Sequence, residues 1–350
     1  MISQSKSIKK TARQKPVADL IGLLQKNAIL KNAVEVSLQK TGLHGIKTLD
    51  QFYTYLDNVL THIPTEKELM PSVREFYYFL SKSPNDILKK HSRFNTWMNE
   101  FVVSRGSFMD TPASAGCLDT FIKDPKYKID DYKIPEGGWK TYNEFLAREI
   151  KPGMRPIAQP TNDNIIVSPA DFDYCGDCPI TSDSTVMAKG TLYSIAALIK
   201  GSKYKNKFRN GVFAHGFLLI NDYHHFHSPV NGIIQEIQHI PASTWVHEKK
   251  TITGKIKNKD NVGFQFEHTR AYIILDSPVG WVAIIPVGMG HISSVNIVVN
   301  QTDHVRKGNK LGHFAFGGSD IIMLFEREID FTAKKNKHYN MGEQIGVANN

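Results

Sequence analysis

Gly317, Gly318, Ser319 and Asp320 follow the run Val305–Phe316 near the end of a 350-residue chain. A serine after two glycines has open access to the carbonyl that precedes it. Gly318 carries no side chain to block the approach and tolerates backbone geometries closed to other residues. If Ser319 attacks the Gly318 carbonyl and the chain is cut there, the serine can end as a pyruvoyl group, a carbonyl cofactor made from the chain itself. The bland alternative is a serine that merely ends a strand.

A second dense motif runs from Asp222 to Gly232 and holds His224, His225 and His227. On an extended segment His225 and His227 share one side and His224 the other. A turn at this point would bring His224 and His227 together instead. Histidine titrates near neutrality, so acid–base work is one reading. Metal binding is another, but no further ligand stands at a convincing spacing. Taken alone, the motif slightly favours a hydrogen-bonded structural cluster. Val167–Asp171 reads as a strand end with an acid in the turn, and Asp171 gains meaning only if it orients one of these histidines. Cys175 and Cys178 have redox or metal spacing, yet there is no second cysteine pair and no βαβ context, so two ordinary cysteines are expected.

The elements that must position these residues change character near residue 150. Before it, apolar residues recur with helical spacing: Val17, Leu20, Ile21, Leu24; Leu49, Phe52, Leu56, Leu60; Val73, Phe76, Tyr77, Leu80; Phe94, Trp97, Met98, Phe101. Such stripes are core-forming. Thr48 with Gln51, and Thr141 with Glu144, read as helix caps. After Pro152, short Val, Ile and Phe runs alternate with turn residues. Strands are expected at 164–168, 211–220, 232–240, 271–276, 280–287, 292–299, 312–316 and 321–326, with 192–199 as the best helix. The expected class is α+β: a basic arm over 1–16, a helical N-terminal domain over 17–150, a β-rich catalytic domain over 151–330, and a loose polar tail over 331–350.

The bulk numbers narrow the partners. The net charge is +9, from 43 basic and 34 acidic residues, which suits anionic partners such as phospholipid or an acidic metabolite. The basic clusters at 200–207 and 249–259 lack interleaved aromatics apart from Tyr204 and Phe208, so nucleic acid is not expected. There is no phosphate loop, no secretory apolar region and no run long enough to span a bilayer. Three cysteines do not make a disulfide framework, which fits a reducing compartment. The expected location is cytoplasmic, with peripheral contact at an anionic membrane.

Taken in order, the motifs resemble the phosphatidylserine decarboxylase family of pyruvoyl enzymes. The matching pieces are Phe145–Arg148 with Lys151–Pro156, Ser168–Asp171, Lys189–Ser194, Asp222–Gly232, Val287–Gly288, and Lys307–Gly308 through Ser319. The helical N-terminal region and the Gly-Gly-Ser form are more similar to a soluble branch that includes fungal tryptophan decarboxylases. Many family members have Leu-Gly-Ser-Thr at the cleavage point. Here Asp320 follows the serine, which would place a charge near the pyruvoyl group and leaves substrate preference open.

The resemblance implies that His227 takes the proton of Ser319 while Asp171 orients His227. It implies cleavage between Gly318 and Ser319 into a large and a small chain, with a covalent pyruvoyl group on the small one. A substrate amine would form a Schiff base with that group, and His224 would protonate the carbanion after carbon dioxide leaves. Tyr223 and Phe226 are candidates for the substrate pocket, and Phe226 and Trp245 for shaping pocket or core. No metal is required. The segments 228–234 and 306–312 resemble the halves of a lipoyl-type β-hammerhead barrel. The implied reaction is decarboxylation of phosphatidylserine to phosphatidylethanolamine. Decarboxylation of a free amino acid, aromatic ones included, is the alternative, and a non-catalytic lipid- or metabolite-binding relative is a remote one. The N-terminal helices could gate the pocket, dock a partner or build a homodimer.

Overall fold

Helical periodicity before residue 150 becomes helices at Lys15–Gln25, Ala28–Thr41, Leu49–Thr61, Glu66–Ser81, Ile87–Lys90, Ser92–Met109, Leu118–Ile122 and Tyr142–Leu146. The computed structural model describes residues 12–188, 191–241, 248–250, 256–258, 266, 268–288, 294–315 and 319–349. Gly317, Gly318, Trp245, Lys189 and Gly190 lie outside the described residues.

The caps read from sequence are formed. Thr48 Oγ1 accepts from the Gln51 amide while the Gln51 side chain accepts from the Thr48 amide. Thr141 Oγ1 accepts from the Glu144 amide. The apolar stripes converge on one core that includes Leu20, Leu56, Phe76, Trp97 and Phe101. Tyr223 and Met341, from the β region, belong to that same core. The helical and β regions therefore share buried surface where the histidine motif lies.

The basic arm needs correcting at its inner end. Pro16 sits in the first turn of the helix Lys15–Gln25, where its fixed φ favours helix and its missing N–H costs nothing. Just before it, the Arg13 guanidinium bonds Asp50 and Asp57. Residues 1–11 lie outside the described part.

The later half is antiparallel β, so the fold class is α+β. An eight-stranded sheet has the order His304–Val305, Gly232–Ile240, Arg270–Ser277, Gly280–Gly288, Ser319–Phe325, Val212–Leu218, Phe172–Pro179 and His338–Tyr339. A three-stranded sheet joins Ser294–Ile297, Lys310–Ala315 and His225–His227. None of the sheets of described residues closes on itself. Strand alternation gives the large sheet two apolar faces. Ile321, Met323 and Phe325 enter one core with Phe314 and Leu311. Ile322 and Leu324 enter another with Phe213 and Ile285.

Two further expectations change. The segment 192–199 divides into a strand, Thr191–Ser194, and a single helical turn, Ile195–Leu198. The C-terminal tail is not loose. Gln344–Ala348 is the middle strand of a three-stranded sheet, between Ile165–Val167 and Ile329–Phe331. Its Ile345 is buried, as are Tyr339 and Met341 upstream. Scattered polar residues at 334–344 hid these few apolar anchors, whose partners lie far away in sequence.

Candidate active site

Ser319 opens the strand Ser319–Phe325 and is fully buried. Its partner is set by the neighbouring small sheet. Lys310–Ala315 pairs antiparallel with His225–His227, His313 opposite His225. The Phe314 amide extends the ladder by donating to the His224 carbonyl. The chain that leads to Ser319 is thus stitched to the histidine motif, and His224 Nδ1 comes to lie 3.3 Å from Ser319 Oγ.

His224 is wholly buried. Burial, reinforced by the nearby Arg148 cation, lowers its pKa to about 3. The imidazole is therefore neutral near pH 7 and able to accept the serine proton. Its Nε2 is buried, and the Ile220 and Leu219 carbonyls of the same turn lie against the ring. With Nδ1 as acceptor, Nε2 carries the ring proton.

Arg148 holds the turn that carries His224. It is 1% exposed, and its Nη2 donates to the carbonyls of Asn221 at 2.6 Å and Asp222 at 3.0 Å. Its guanidinium lies over the Tyr132 ring, 4.2 Å from the centroid. The Asp222 carboxylate accepts the Leu219 amide at 2.7 Å and closes the turn from the other side. Burial pushes the Asp222 carboxyl up to about 7.

The other two histidines point into separate networks. His225 Nε2 donates to the Ala147 carbonyl at 2.9 Å, and its ring stacks on Tyr223 at 4.7 Å. Burial lowers its pKa to about 2. His227 Nδ1 donates to the Gly308 carbonyl at 2.9 Å, so Nε2 accepts from the Tyr223 hydroxyl at 3.2 Å. Burial lowers the His227 pKa to about 4. Gly308 presents its carbonyl from a turn with φ of 84°, a conformation that favours glycine.

Asp171 does not bond His227. Its oxygens take Arg155 Nε at 2.9 and 3.1 Å, Arg155 Nη2 at 2.5 Å, and the Met341 amide at 2.8 Å. The link to the histidine runs through the backbone, because the His227 amide donates to the carbonyl of Pro169 in the same turn, at 2.7 Å. The expected arrangement of Asp171, His227 and Ser319 as a linear triad is therefore replaced by a different set of contacts. His224 meets the serine, and Asp171 clamps Arg155. Strand alternation explains this: His227 faces Gly308 and Tyr223, while His224 precedes the strand and turns toward Ser319.

Of the proposed pocket residues, Tyr223 is 1% exposed and bonded to His227. Phe226 is fully buried, 5.2 Å from the Phe314 ring, and a Cβ on Gly312 would collide with it. It fills the core. Cys175 and Cys178 are free thiols on the strand Phe172–Pro179, and Cys178 packs against an apolar core.

Sequence reasoning missed His215, Arg155 and Arg148 as a supporting set. His215 Nε2 pairs with Asp320 at 3.0 Å, both wholly or nearly buried. Burial opposes the imidazolium, but Asp320 and Cys175 outweigh it and push its pKa up to about 10. The charge beside Ser319 is thus paired, on the opposite face of the strand from the serine. A lone histidine inside the apolar run Val212–Leu218 was the available signal.

A family model described as phosphatidylserine decarboxylase matches residues 142–347. The chain is 32% identical over 265 residues to phosphatidylserine decarboxylase proenzyme 3 of Schizosaccharomyces pombe, covering 73% of this chain and 27% of that protein. It is 27% identical over 308 residues to the phosphatidylserine decarboxylase proenzyme of Fusobacterium nucleatum, covering 85% and 98%. It is 28% identical over 219 residues to the L-tryptophan decarboxylase of Psilocybe cyanescens, covering 58% and 50%. The chain thus spans about a quarter of the fission-yeast relative and nearly all of the bacterial one. The matched stretch takes in Arg148, Asp171, the histidine turn and Ser319, and on it the chain belongs to the phosphatidylserine decarboxylase family.

Proposed function

We propose that this protein is a self-cleaving, pyruvoyl-dependent decarboxylase whose substrate is phosphatidylserine and whose product is phosphatidylethanolamine. The observation that carries the reading is the buried contact of His224 Nδ1 with Ser319 Oγ. His224 takes the hydroxyl proton as the serine oxygen bonds to the Gly318 carbonyl carbon. The Gly318–Ser319 amide bond then breaks, and the freed nitrogen gains a proton. Elimination from the resulting ester breaks the Cα–H and Cβ–O bonds of residue 319, releases the carboxylate of the new C-terminus at Gly318 and leaves a dehydroalanine. Water then displaces the nitrogen as ammonia and leaves the pyruvoyl group on residue 319. When formed, that group supplies an electron sink for the electrons released with carbon dioxide.

The chain's residues fit such a group. Position 319 is buried, and the neutral His224 beside it can take up and return a proton there. Tyr223 and Gly308 fix the His227 tautomer, and Arg148 fixes the turn. Asp171 and Arg155 act as positioning residues, tying the Pro169 turn to the C-terminal segment. The turn-and-strand pieces 228–234 and 306–312 lie against one another, Gly308 amide to Ser228 carbonyl and Ser228 amide to Asn309 carbonyl, which supports the hammerhead resemblance.

The small chain, 319–350, stays bound after cleavage because Ser319–Phe325 is an inner strand of the large sheet. The net charge of +9 supports peripheral work at an anionic membrane from the cytoplasmic side. No described helix is long and apolar enough to cross a membrane. Similarity to an L-tryptophan decarboxylase supports a second reading, a free aromatic amino acid as substrate.

Intact mass under denaturing conditions, followed by carbon dioxide release from phosphatidylserine vesicles and from L-tryptophan, tests both. Two chains split after Gly318 and turnover of vesicles support the first reading. Turnover of tryptophan alone moves the assignment to the second. A single uncut 39.5 kDa chain without activity refutes both.

A further inference from the structure

Arg105, on the helix Ser92–Met109, is 3% exposed and has no acidic partner among the described residues. Its Nη1 donates to the Val59 carbonyl, and its Nε has no hydrogen-bond partner. A guanidinium keeps its charge when buried. An isolated buried cation is strongly disfavoured unless an anion joins it. The neighbours here are tyrosines, among them Tyr55 and Tyr142, which carry no charge at neutral pH.

Beside Arg105 lies a cavity of about 200 Å³. Val59, Leu69, Val73 and Phe76 make its apolar wall, and Tyr55 and His62 join Arg105 as polar groups. Burial raises the Tyr55 pKa, so its phenol stays a neutral hydrogen-bond group. His44, which also lines the cavity, has its Nδ1 3.1 Å from the Glu75 carboxylate. None of the residues placed at Ser319 lines this cavity.

We propose that this cavity is a second ligand site, which binds a small monocarboxylate with a compact apolar body, its carboxylate on Arg105 and its body against Val59, Leu69, Val73 and Phe76. One uncompensated cation calls for one negative charge. Planar guanidinium matches carboxylate with two parallel bonds. The apolar wall of Val59, Leu69, Val73 and Phe76 disfavours a hydrated dianion such as phosphate. The volume is below that of sites for drug-sized ligands, which limits the body to about one ring.

Titration calorimetry of the purified full chain with sodium benzoate tests the site, with inorganic phosphate and benzyl alcohol as comparisons. Saturable benzoate binding is expected, weakened at least about tenfold in Arg105→Met and in Ser72→Trp, and little affected by either comparison compound. Ser72 is half-buried at the lining and Trp there would fill the cavity while leaving Arg105 in place. That variant decides the matter if Arg105→Met does not fold. Absence of saturable binding, binding retained in Ser72→Trp, or equal displacement by phosphate or benzyl alcohol would overturn the proposal.

Discussion

His224 Nδ1 and Ser319 Oγ, both buried, face each other at 3.3 Å, and the Phe314 amide bonds the His224 carbonyl alongside them. The residue in contact with the candidate nucleophile is therefore the first histidine of the motif, and the third is engaged elsewhere.

This contact sets the order of effects on self-cleavage. Ser319→Ala is expected to leave a full-length chain. His224→Ala should slow cleavage by about 100-fold or more, the usual scale for loss of an acid–base group. His227→Ala loses only the Tyr223 and Gly308 contacts and should slow it by no more than about tenfold. The rates are read as appearance of the small chain by denaturing mass spectrometry after dilution from denaturant. The opposite order would return the base to His227.

Asp171 and Arg155 form a buried pair, with side chains 4% and 6% exposed. Removing Asp171 leaves the Arg155 guanidinium with Asp131 alone, at 3.1 Å, and leaves the buried Met341 amide without its acceptor. Asp171→Ala in a Ser319→Ala background is expected to cost about 3 kcal/mol in urea unfolding. Loss of activity with unchanged stability would point instead to direct chemistry at Asp171.

The titration behaviour has a definite sign. His224, His225 and His227 have folded pKa values of about 3, 2 and 4, below the unfolded value of about 6.5. The unfolded chain therefore binds more protons between those limits, and stability falls as pH drops from about 6.5 toward 4. Asp222, raised to about 7, works the other way above pH 4, as one group against three. His215, raised to about 10, gives stability that is full below about 6.5 and lost as pH rises toward 10. Urea midpoints from pH 4 to 10 on the uncleaved Ser319→Ala protein should describe a dome. A midpoint that rises steadily across that range would contradict the His215–Asp320 pair.

The last strand should be indispensable. Deleting residues 344–350 strips Ile165–Val167 and Ile329–Phe331 of their shared partner and exposes Ile345's site. The truncated chain is expected to be insoluble or to melt at least about 10 °C lower in a thermal scan, given several kcal/mol of lost burial and pairing.

Local signals were legible in the chain wherever neighbours in sequence decide the outcome. The Thr48–Gln51 cap, the stripe Phe52, Leu56, Leu60 and the apolar strand at 321–326 depend on contacts a few residues apart or on simple alternation. The candidate nucleophile and the histidine cluster could be named from residue type alone. Which histidine touches Ser319 could not. That depends on the register of Lys310–Ala315 against His225–His227, a pairing across roughly 90 residues that flips every side chain if it slips by one. The same holds for Arg155 on Asp171, His215 on Asp320, and the strand Gln344–Ala348 between two distant partners. Sequence alone determined several of the N-terminal helices, most of the strands and the residue types at the candidate cleavage point, because those follow from local pattern. Tertiary structure alone decided the partners, because a buried polar group is satisfied by whatever the folded chain brings within hydrogen-bond reach.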